Sequence, residues 1–454
     1  MSTIPDYLAS GEVARLFPVL ANTSREGRTT SIFLACMARV DEFGTELLAS
    51  VGRRLGKTAR LEAYTEVVFK SEKREKASRP DGLIVLRTGG REWRAIIETK
   101  VGNNLLNEIQ VEEYLKIARA NGIDAVITIS NQFTREPSAH PCALSLKSNS
   151  RVQIFHWSWM YVLTCAEILL TKDAIKDVDQ KIILNEFRRF ISHESSGIKG
   201  FDRMPQEWPE VVRSVSSGAV LSKTSDLLPP VIQAWQQEVR DLSLILSRQL
   251  GVHVSQKLPR GTDSKRLAKQ HLDTICGHGQ LQAILEIPGA ASWMPIIVDM
   301  KARSISASMS LKAPEDRKST KARLSWLLRQ LGELKRDDIL ISIQWPGRSQ
   351  STVYPWLKLI DDPELASRER EHLTPIGFRV TLNKHTGVRF GQVSNFISDL
   401  EDLVPKFYLE VGQKLSQWKP PPPPLIQSRA TAEDVDREAI QIEAERVAVI
   451  SDTT

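Results

Sequence analysis

Two short segments carry the side chains whose types and spacing could do chemistry together. Asp81 follows a proline in Pro80-Asp81, and Glu98 and Lys100 are two residues apart in Glu98-Thr99-Lys100. Residues i and i+2 of a strand point to the same face, so Glu98 and Lys100 should project together. Two carboxylates at one point repel each other unless a cation lies between them. The pattern therefore predicts a site for a hard divalent ion, Mg²⁺ or Mn²⁺, with a lysine beside it.

The elements that must position these side chains form a predicted hairpin followed by a helix. Residues 82–86 and 93–99 are short apolar runs rich in β-branched side chains, with Gly89-Gly90 between them. Such a hairpin brings the start of its first strand, and hence Asp81, beside the end of its second. Gln110 and Tyr114 then stand at i and i+4, which places both on one face of the helix.

This order of residues resembles the PD-(D/E)xK nuclease superfamily, and the Q-x-x-x-Y helix after the lysine strand is similar to its RecB-type branch. The matching region covers roughly residues 60 to 165, about a quarter of the chain. The resemblance implies an α/β fold with a restriction-endonuclease-like mixed sheet flanked by helices. It also implies a divalent-metal-dependent nuclease that hydrolyses DNA phosphodiester bonds, with RNA not excluded.

The resemblance also implies roles for the residues of the hairpin. Asp81 and Glu98 would be the metal ligands, joined by the backbone carbonyl of Thr99. Lys100 would position or activate the attacking water.

The remaining candidate residues lie on either side of the hairpin. Glu66 would complete the metal shell or hold a second ion, although Glu62 is an alternative and either could face solvent. Gln110 and Tyr114 would position the phosphate backbone or the lysine.

Positive charge is concentrated around the predicted site. Residues 51–100 contain 13 Lys or Arg and 7 Asp or Glu, an excess of +6 that equals that of the whole chain. Basic side chains just before Asp81 would contact phosphates and give salt-dependent affinity for nucleic acid. A solvated loop with interspersed glutamates is the alternative. The candidate nucleic-acid-binding residues are Lys70, Lys73, Arg74, Lys76 and Arg79.

Composition limits the class of protein. The 454 residues suggest two to four domains, and 41% hydrophobic and 26% charged residues are typical of a globular chain. No apolar run approaches the ~18 residues of a membrane span, the first residues lack a signal-peptide pattern, and no P-loop is present. The scattered cysteines lack a C-x-x-C spacing and indicate a cytoplasmic protein with reduced thiols. They are Cys36, Cys142, Cys165 and Cys276.

Shifts in pattern predict five segments. Residues 1–60 form a helical segment packed on the core, and the helical pattern runs from residue 7 to 64 with a cap at Thr29, Thr30 or Ser31. The other segments are a nuclease-like domain at 61–195, a linker at 196–228, a C-terminal α+β binding or regulatory domain at 229–418, and a proline spacer with a disordered acidic tail at 419–454.

The C-terminal domain leaves several functions open. Residues 301–329 hold eight basic and two acidic residues and could offer a phosphate-binding face. The alternatives to a nuclease are a catalytically inactive nucleic-acid-binding regulator of the same fold, and a protein-interaction component of a defence or stress system. Phage defence, DNA repair, a homo-oligomer and a partner protein at this domain are all compatible with the sequence. The basic residues of the predicted face are Arg303, Arg317, Lys318, Lys321 and Arg323.

Overall fold

Two β-sheets organise the chain, the first mixed and six-stranded, the second antiparallel and seven-stranded. We describe them in a computed structural model. It describes residues 5–18, 25–56, 58–70, 79–144, 151–332, 334–368, 370–420 and 440–446. The mixed α/β class agrees with the prediction from the sequence. No helix among these residues has the length and apolar character that crossing a bilayer requires.

The first half of the chain alternates strands and helices around the mixed sheet. Its elements are β1 (Leu8–Val13), α1 (Arg25–Arg39), α2 (Asp41–Ser50), β2 (Arg60–Phe69), β3 (Gly82–Thr88), β4 (Arg91–Thr99), α3 (Glu108–Ala120), β5 (Ala125–Ser130), β6 (Gln153–Ser158), α4 (Trp159–Thr171) and α5 (Val178–Ser192). Strands β1 to β4 pair antiparallel in chain order, whereas β4, β5 and β6 run parallel. The carboxyl ends of β4, β5 and β6 therefore meet at one edge of the sheet.

Helices cover both faces of this sheet. On one face, Phe33 of α1 meets Trp159 and Phe187 at ring-centroid distances of 5.5 and 6.1 Å. On the other face, α3 buries Val111 and Leu115 against β3, β4 and β5. The predicted hairpin and the predicted Q-x-x-x-Y helix are both confirmed.

The prediction of a mainly helical segment from residue 7 to 64 is wrong at both ends. Strand β1 is the edge strand of the first sheet, and β2 pairs on both sides. Most side chains of β1 are exposed, so its sequence lacks the apolar alternation that marks a half-buried strand. Strand β2 carries Arg60, Glu62 and Glu66 among its apolar residues, which conceals its period of two.

The second half of the chain builds the antiparallel sheet in the order β12-β11-β13-β10-β9-β8-β7. Its elements are α6 (Trp208–Ser216), α7 (Leu228–Leu250), β7 (Ser255–Gln256), α8 (Ser264–His278), β8 (Gln280–Glu286), β9 (Met294–Asp299), β10 (Ser304–Lys312), α9 (Thr320–Leu331), β11 (Ile339–Gln344), β12 (Thr352–Pro355), α10 (Trp356–Asp361), α11 (Leu365–Arg368), β13 (Gly377–His385) and α12 (Val393–Glu410). Helices α7 and α12 pack on this sheet. The α+β character agrees with the prediction for 229–418.

The predicted linker at 196–228 is structured in part. It contains α6, whose Trp208 is fully buried in the second core and donates a 2.9 Å hydrogen bond to the Phe390 carbonyl. The two cores divide between Ile191 and Met204, so the boundary is short. The Gly and Ser clusters on both sides of α6 suggested a longer linker, because the helix between them has only nine residues.

In the predicted acidic tail, residues 440–446 form a helix, and the rest beyond Pro420 lies outside the described residues.

We predict that Trp208→Ala destabilises the second half of the protein by about 3–5 kcal/mol, because it opens a cavity in a packed aromatic cluster. The Trp208 ring lies 4.5 Å from that of Phe396. Urea unfolding followed by circular dichroism measures the loss. Trp293→Ala is the matched control, since Trp293 is 53% exposed. If both substitutions lowered the free energy of unfolding equally, α6 would be part of a linker and not of the second core.

Candidate active site

The adjacent ends of β3 and β4 bring Asp81, Glu98 and Lys100 together. Gly82 pairs with Ile97 in the hairpin, so the residue before Gly82 lies beside the residue after Ile97. The Lys100 Nζ lies 2.5 Å from Glu98 Oε1, and Glu98 is only 1% exposed. The predicted convergence of these three side chains is therefore present.

Asp81 is held by the strand opposite it. Its Oδ2 accepts hydrogen bonds from the Thr99 backbone N–H at 2.7 Å and from the Thr99 hydroxyl at 3.0 Å. A side chain at residue 82 would come within 2.5 Å of Leu34 and 3.0 Å of the Tyr64 carbonyl. The glycine after Asp81 is thus required by the close approach of α1 and β2, rather than by a turn.

Sequence reasoning missed a third acidic residue, Glu26. This residue lies in the first turn of α1, and its Oε1 accepts a 2.8 Å hydrogen bond from Lys100 Nζ. Carboxylate oxygens of Glu26, Asp81 and Glu98 all lie within 4.8 Å of one another. Among the described residues, these are the side chains grouped closely enough to hold a metal ion.

Helix α1 places Glu26 at the site, because the helix residues that follow Glu26 are packed in the core. The sequence analysis placed the start of this helix at residue 29 to 31, but the helix is already formed at Arg25. The segment Thr23-Ser24-Arg25-Glu26 matches the S/T-x-x-E pattern of a capping box, which could have indicated the earlier start. A glutamate in the first turn is also favoured by the helix dipole.

The carboxylates strongly affect each other. Burial, followed by the charge of Glu98, raises the pKa of Asp81 from 3.8 to about 7, although the Thr99 N–H and Lys100 oppose the change. Burial also raises the pKa of Glu98, against the opposing effect of Lys100. Burial and mutual repulsion therefore outweigh the positive charge that Lys100 supplies to these two acids.

Lys100 remains a cation in this setting. Burial lowers the pKa of Lys100, but Glu98 and Glu26 more than offset this and raise it above its usual range. An ammonium has three N–H donors, and two of them bond to Glu26 and Glu98. The third is available for a water or a phosphate oxygen.

The residues fit a divalent cation. Three carboxylates and one ammonium leave a net charge of −2 when all are ionised. Glu98 Oε2 is buried with no hydrogen-bond donor within 3.5 Å among the described residues, and the nearby Tyr114 hydroxyl only partly offsets the cost of burying Glu98, so a cation would stabilise this oxygen. Carboxylate oxygens are the ligands that Mg²⁺ and Mn²⁺ prefer.

Glu66 stands apart from this cluster. It is exposed in β2 with a φ of +51°, where the pairing of β1 with β2 is irregular. It lines a cavity of about 320 Å³ together with Asp81, but its carboxylate is outside the group of three. The third carboxylate of the group is Glu26 and not Glu66, and a role of Glu66 in completing a metal shell or holding a second ion stays a prediction.

Gln110 and Tyr114 hold the segment that leads to Asp81. The Gln110 Nε2 donates a 2.9 Å hydrogen bond to the Tyr114 hydroxyl, which in turn donates to the Arg79 carbonyl at 3.3 Å. Tyr114 is 1% exposed, and its nearby hydroxyl lowers the pKa of Glu98. This pair therefore holds the segment before Asp81, and the predicted role in positioning the phosphate backbone or Lys100 stays a prediction.

The basic residues are only partly described. Lys70 and Arg79 are exposed, and Arg79 is two residues before Asp81, whereas Lys73, Arg74 and Lys76 lie outside the described residues. Phosphate contacts by this group stay a prediction.

The second basic group is largely engaged within the fold. Arg323 donates 2.6 Å hydrogen bonds to the carbonyls of Arg317 and Pro375, and Lys321 pairs with Glu364 at 2.7 Å. These contacts brace the start of α9. They give an architectural reason for the charge in 301–329.

Comparison with known proteins adds no relative: no family model, curated protein or solved structure matches this chain.

We predict that metal-free protein loses stability as the pH rises from about 4 to 7, in part because of Asp81. Its folded-state pKa of about 7 exceeds its ordinary value of 3.8. Its contribution to stability is therefore fully present below pH ~3.8 and is lost as the pH rises through about 7. Thermal unfolding in EDTA should show a smaller decline for Asp81→Asn than for wild type. Parallel pH profiles would contradict this pKa.

We also predict that Glu26 contributes more than Glu66 to ion affinity. Glu26→Gln removes a carboxylate from the cluster and should weaken Mn²⁺ binding by about tenfold or more. Glu66→Gln, the matched control, should change it by less than about threefold. Calorimetric titration with Mn²⁺ measures both. A larger loss of Mn²⁺ affinity in Glu66→Gln than in Glu26→Gln would show that Glu66 is the more important ligand.

Proposed function

We propose that this chain is a Mg²⁺- or Mn²⁺-dependent nuclease that hydrolyses DNA phosphodiester bonds. The observation that carries the proposal is the convergence of Glu26, Asp81 and Glu98 on Lys100, with a buried carboxylate oxygen that has no hydrogen-bond donor within 3.5 Å among the described residues. A restriction-endonuclease-like core is part of the proposal. Its support is the order of the hairpin, the parallel strand β5 and the Q-x-x-x-Y helix between them.

Each residue of the cluster has a distinct role in this proposal. Asp81 and Glu98 would hold the ion with the Thr99 carbonyl, and Glu26 would complete its surroundings. A bound divalent ion would lower the pKa of a coordinated water and offset the charge of the phosphate.

The chain's own lysine acts on the substrate. Because its pKa is raised, Lys100 is a charged donor rather than a proton acceptor. Its third N–H would orient the attacking water or bond a phosphate oxygen on which negative charge develops. Thr99 keeps Asp81 from turning away, because it donates two hydrogen bonds to one carboxylate oxygen.

One observation favours a second candidate, a catalytically inactive nucleic-acid-binding regulator of the same fold. Lys100 already bonds Glu98 and Glu26, which neutralises part of the cluster without an ion. A buried pair of this kind can serve architecture alone. This candidate predicts salt-dependent DNA binding that persists in EDTA, with no turnover.

We predict that Lys100→Ala lowers the cleavage rate by about 10²–10³-fold, because it removes a preorganised charge at the phosphate. Cleavage of supercoiled plasmid and of single-stranded DNA, with Mg²⁺, Mn²⁺ or EDTA, measures the effect. Parallel assays with RNA show whether DNA or RNA is the substrate.

Lys116→Ala is the matched control, because Lys116 is exposed on α3 in the same half of the chain. It should cleave as wild type does. Equal cleavage by wild type and Lys100→Ala would refute the assigned site. Binding without cleavage under every metal condition would favour the regulator.

A further inference from the structure

A second, larger cavity lies between the two halves of the protein. It has a volume of about 560 Å³, within the usual range for small-molecule sites. The loop after β5 forms one wall, and α7, β7 and the start of α8 form the other. It therefore lies beyond the carboxyl end of a parallel strand and at a domain interface, where ligands of α/β proteins commonly bind.

One cation in this cavity lacks a counter-ion. Arg240 of α7 approaches the Ser243 hydroxyl only at 3.5 Å and lies over the Tyr161 ring at 5.6 Å. No carboxylate of the described residues lies within 4.0 Å of its guanidinium. The neighbouring Asp241 instead accepts a 2.6 Å hydrogen bond from the Phe201 N–H. Burial lowers the pKa of Arg240, and the charge of Asp241 offsets this only in part.

The other cations that line the cavity are already neutralised. Arg135 pairs with Glu136 at 2.8 Å, and Lys257 pairs with Glu286 at 3.0 Å. Because these pairs cancel, Arg240 leaves a single positive charge in the cavity. An occupant with one anionic group would satisfy it.

Side-chain amides make up much of the remaining wall. Gln233 and Gln236 project from α7, and Gln256 from β7. Their amides make no side-chain hydrogen bond with the part of the chain that the structure describes. A glutamine amide offers both a donor and an acceptor, which is the pattern that pairs with the edge of a nucleobase.

We propose that this cavity binds a nucleoside monophosphate, with its phosphate on Arg240 and the edge of its base on the glutamine amides. The phosphate supplies the anion that Arg240 lacks, and the planar base supplies the donors and acceptors that the amides lack. The proposal does not depend on nuclease activity.

The cavity wall contacts the segment that follows Lys100. Gln132 lines the cavity, and its Oε1 accepts a 3.1 Å hydrogen bond from the Leu106 N–H. Asn131 donates to the Gly102 carbonyl at 3.0 Å. Two hydrogen bonds therefore connect the loop after β5, at the cavity, to the segment that follows Lys100.

Calorimetric titration of the full chain with AMP, GMP, CMP and UMP in EDTA tests this proposal. The chelator removes divalent ions, so a phosphate cannot bind through a metal at the carboxylate cluster. We expect saturable one-to-one binding of at least one nucleotide, and weakening by about tenfold or more in Arg240→Gln. Gln233→Leu should weaken it several-fold, and Gln249→Leu, at an exposed position of the same helix, should not change it.

Additional variants and inorganic phosphate as a second ligand complete this experiment. Lys100→Ala should bind the nucleotide as wild type does, and a loss in this variant would place the ligand at the other site and overturn the proposal. Inorganic phosphate that binds as tightly as the nucleotides would overturn the role of the amides. Should Arg240→Gln fail to fold, the comparison of nucleotide affinity between Gln233→Leu and Gln249→Leu still tests the proposal. The absence of binding by all four nucleotides, or binding that neither Gln233→Leu nor Arg240→Gln weakens, would also overturn it.

Discussion

Mutual repulsion among three carboxylates is the constraint on which this account depends. Glu26 lies in helix α1, Asp81 directly before strand β3 and Glu98 in strand β4, and one carboxylate oxygen of each lies within 4.8 Å of the others. Lys100 offsets only one of their charges, and burial, followed by the charge of Glu98, raises the pKa of Asp81. A fold that gathers these groups incurs a cost in stability unless a further cation joins them. The chemistry proposed for the site follows from this shortage of positive charge.

The surrounding architecture holds the carboxylates in place against this repulsion. Thr99 donates two hydrogen bonds to Asp81, and its hydroxyl lies 2.6 Å from that of Thr30 in α1. Gly82 lets α1 approach β3 closely enough for Glu26 to reach the site. Behind the sheet, Tyr114 anchors the chain ahead of Asp81. The same hydrogen bonds that fix the geometry would preorganise ligands for an ion.

The sequence predicted those parts of the site that local rules determine. The period of two places Glu98 and Lys100 together, and the hairpin turn brings Asp81 to them. The sequence analysis did not identify Glu26, because this residue is far from Asp81 and Glu98 in the chain. It reaches the site only through the packing of α1, which no local sequence pattern predicts. Strand β1 and helix α6 were missed for related reasons, since an exposed edge strand lacks alternation and a nine-residue helix is short beside its Gly and Ser flanks. The cavity between the two halves depends wholly on tertiary packing.

Crystals grown with Mn²⁺ and measured at an energy where manganese scatters anomalously test the central claim most directly. The account predicts one anomalous peak at roughly 2 Å from carboxylate oxygens of Asp81 and Glu98. The peak should lie on the side of Glu98 Oε2, because Lys100 bonds the other carboxylate oxygen, Oε1. A cluster without a peak, with Lys100 still bonded to Glu26 and Glu98, would show that the lysine alone satisfies these carboxylates. The site would then be architectural rather than catalytic.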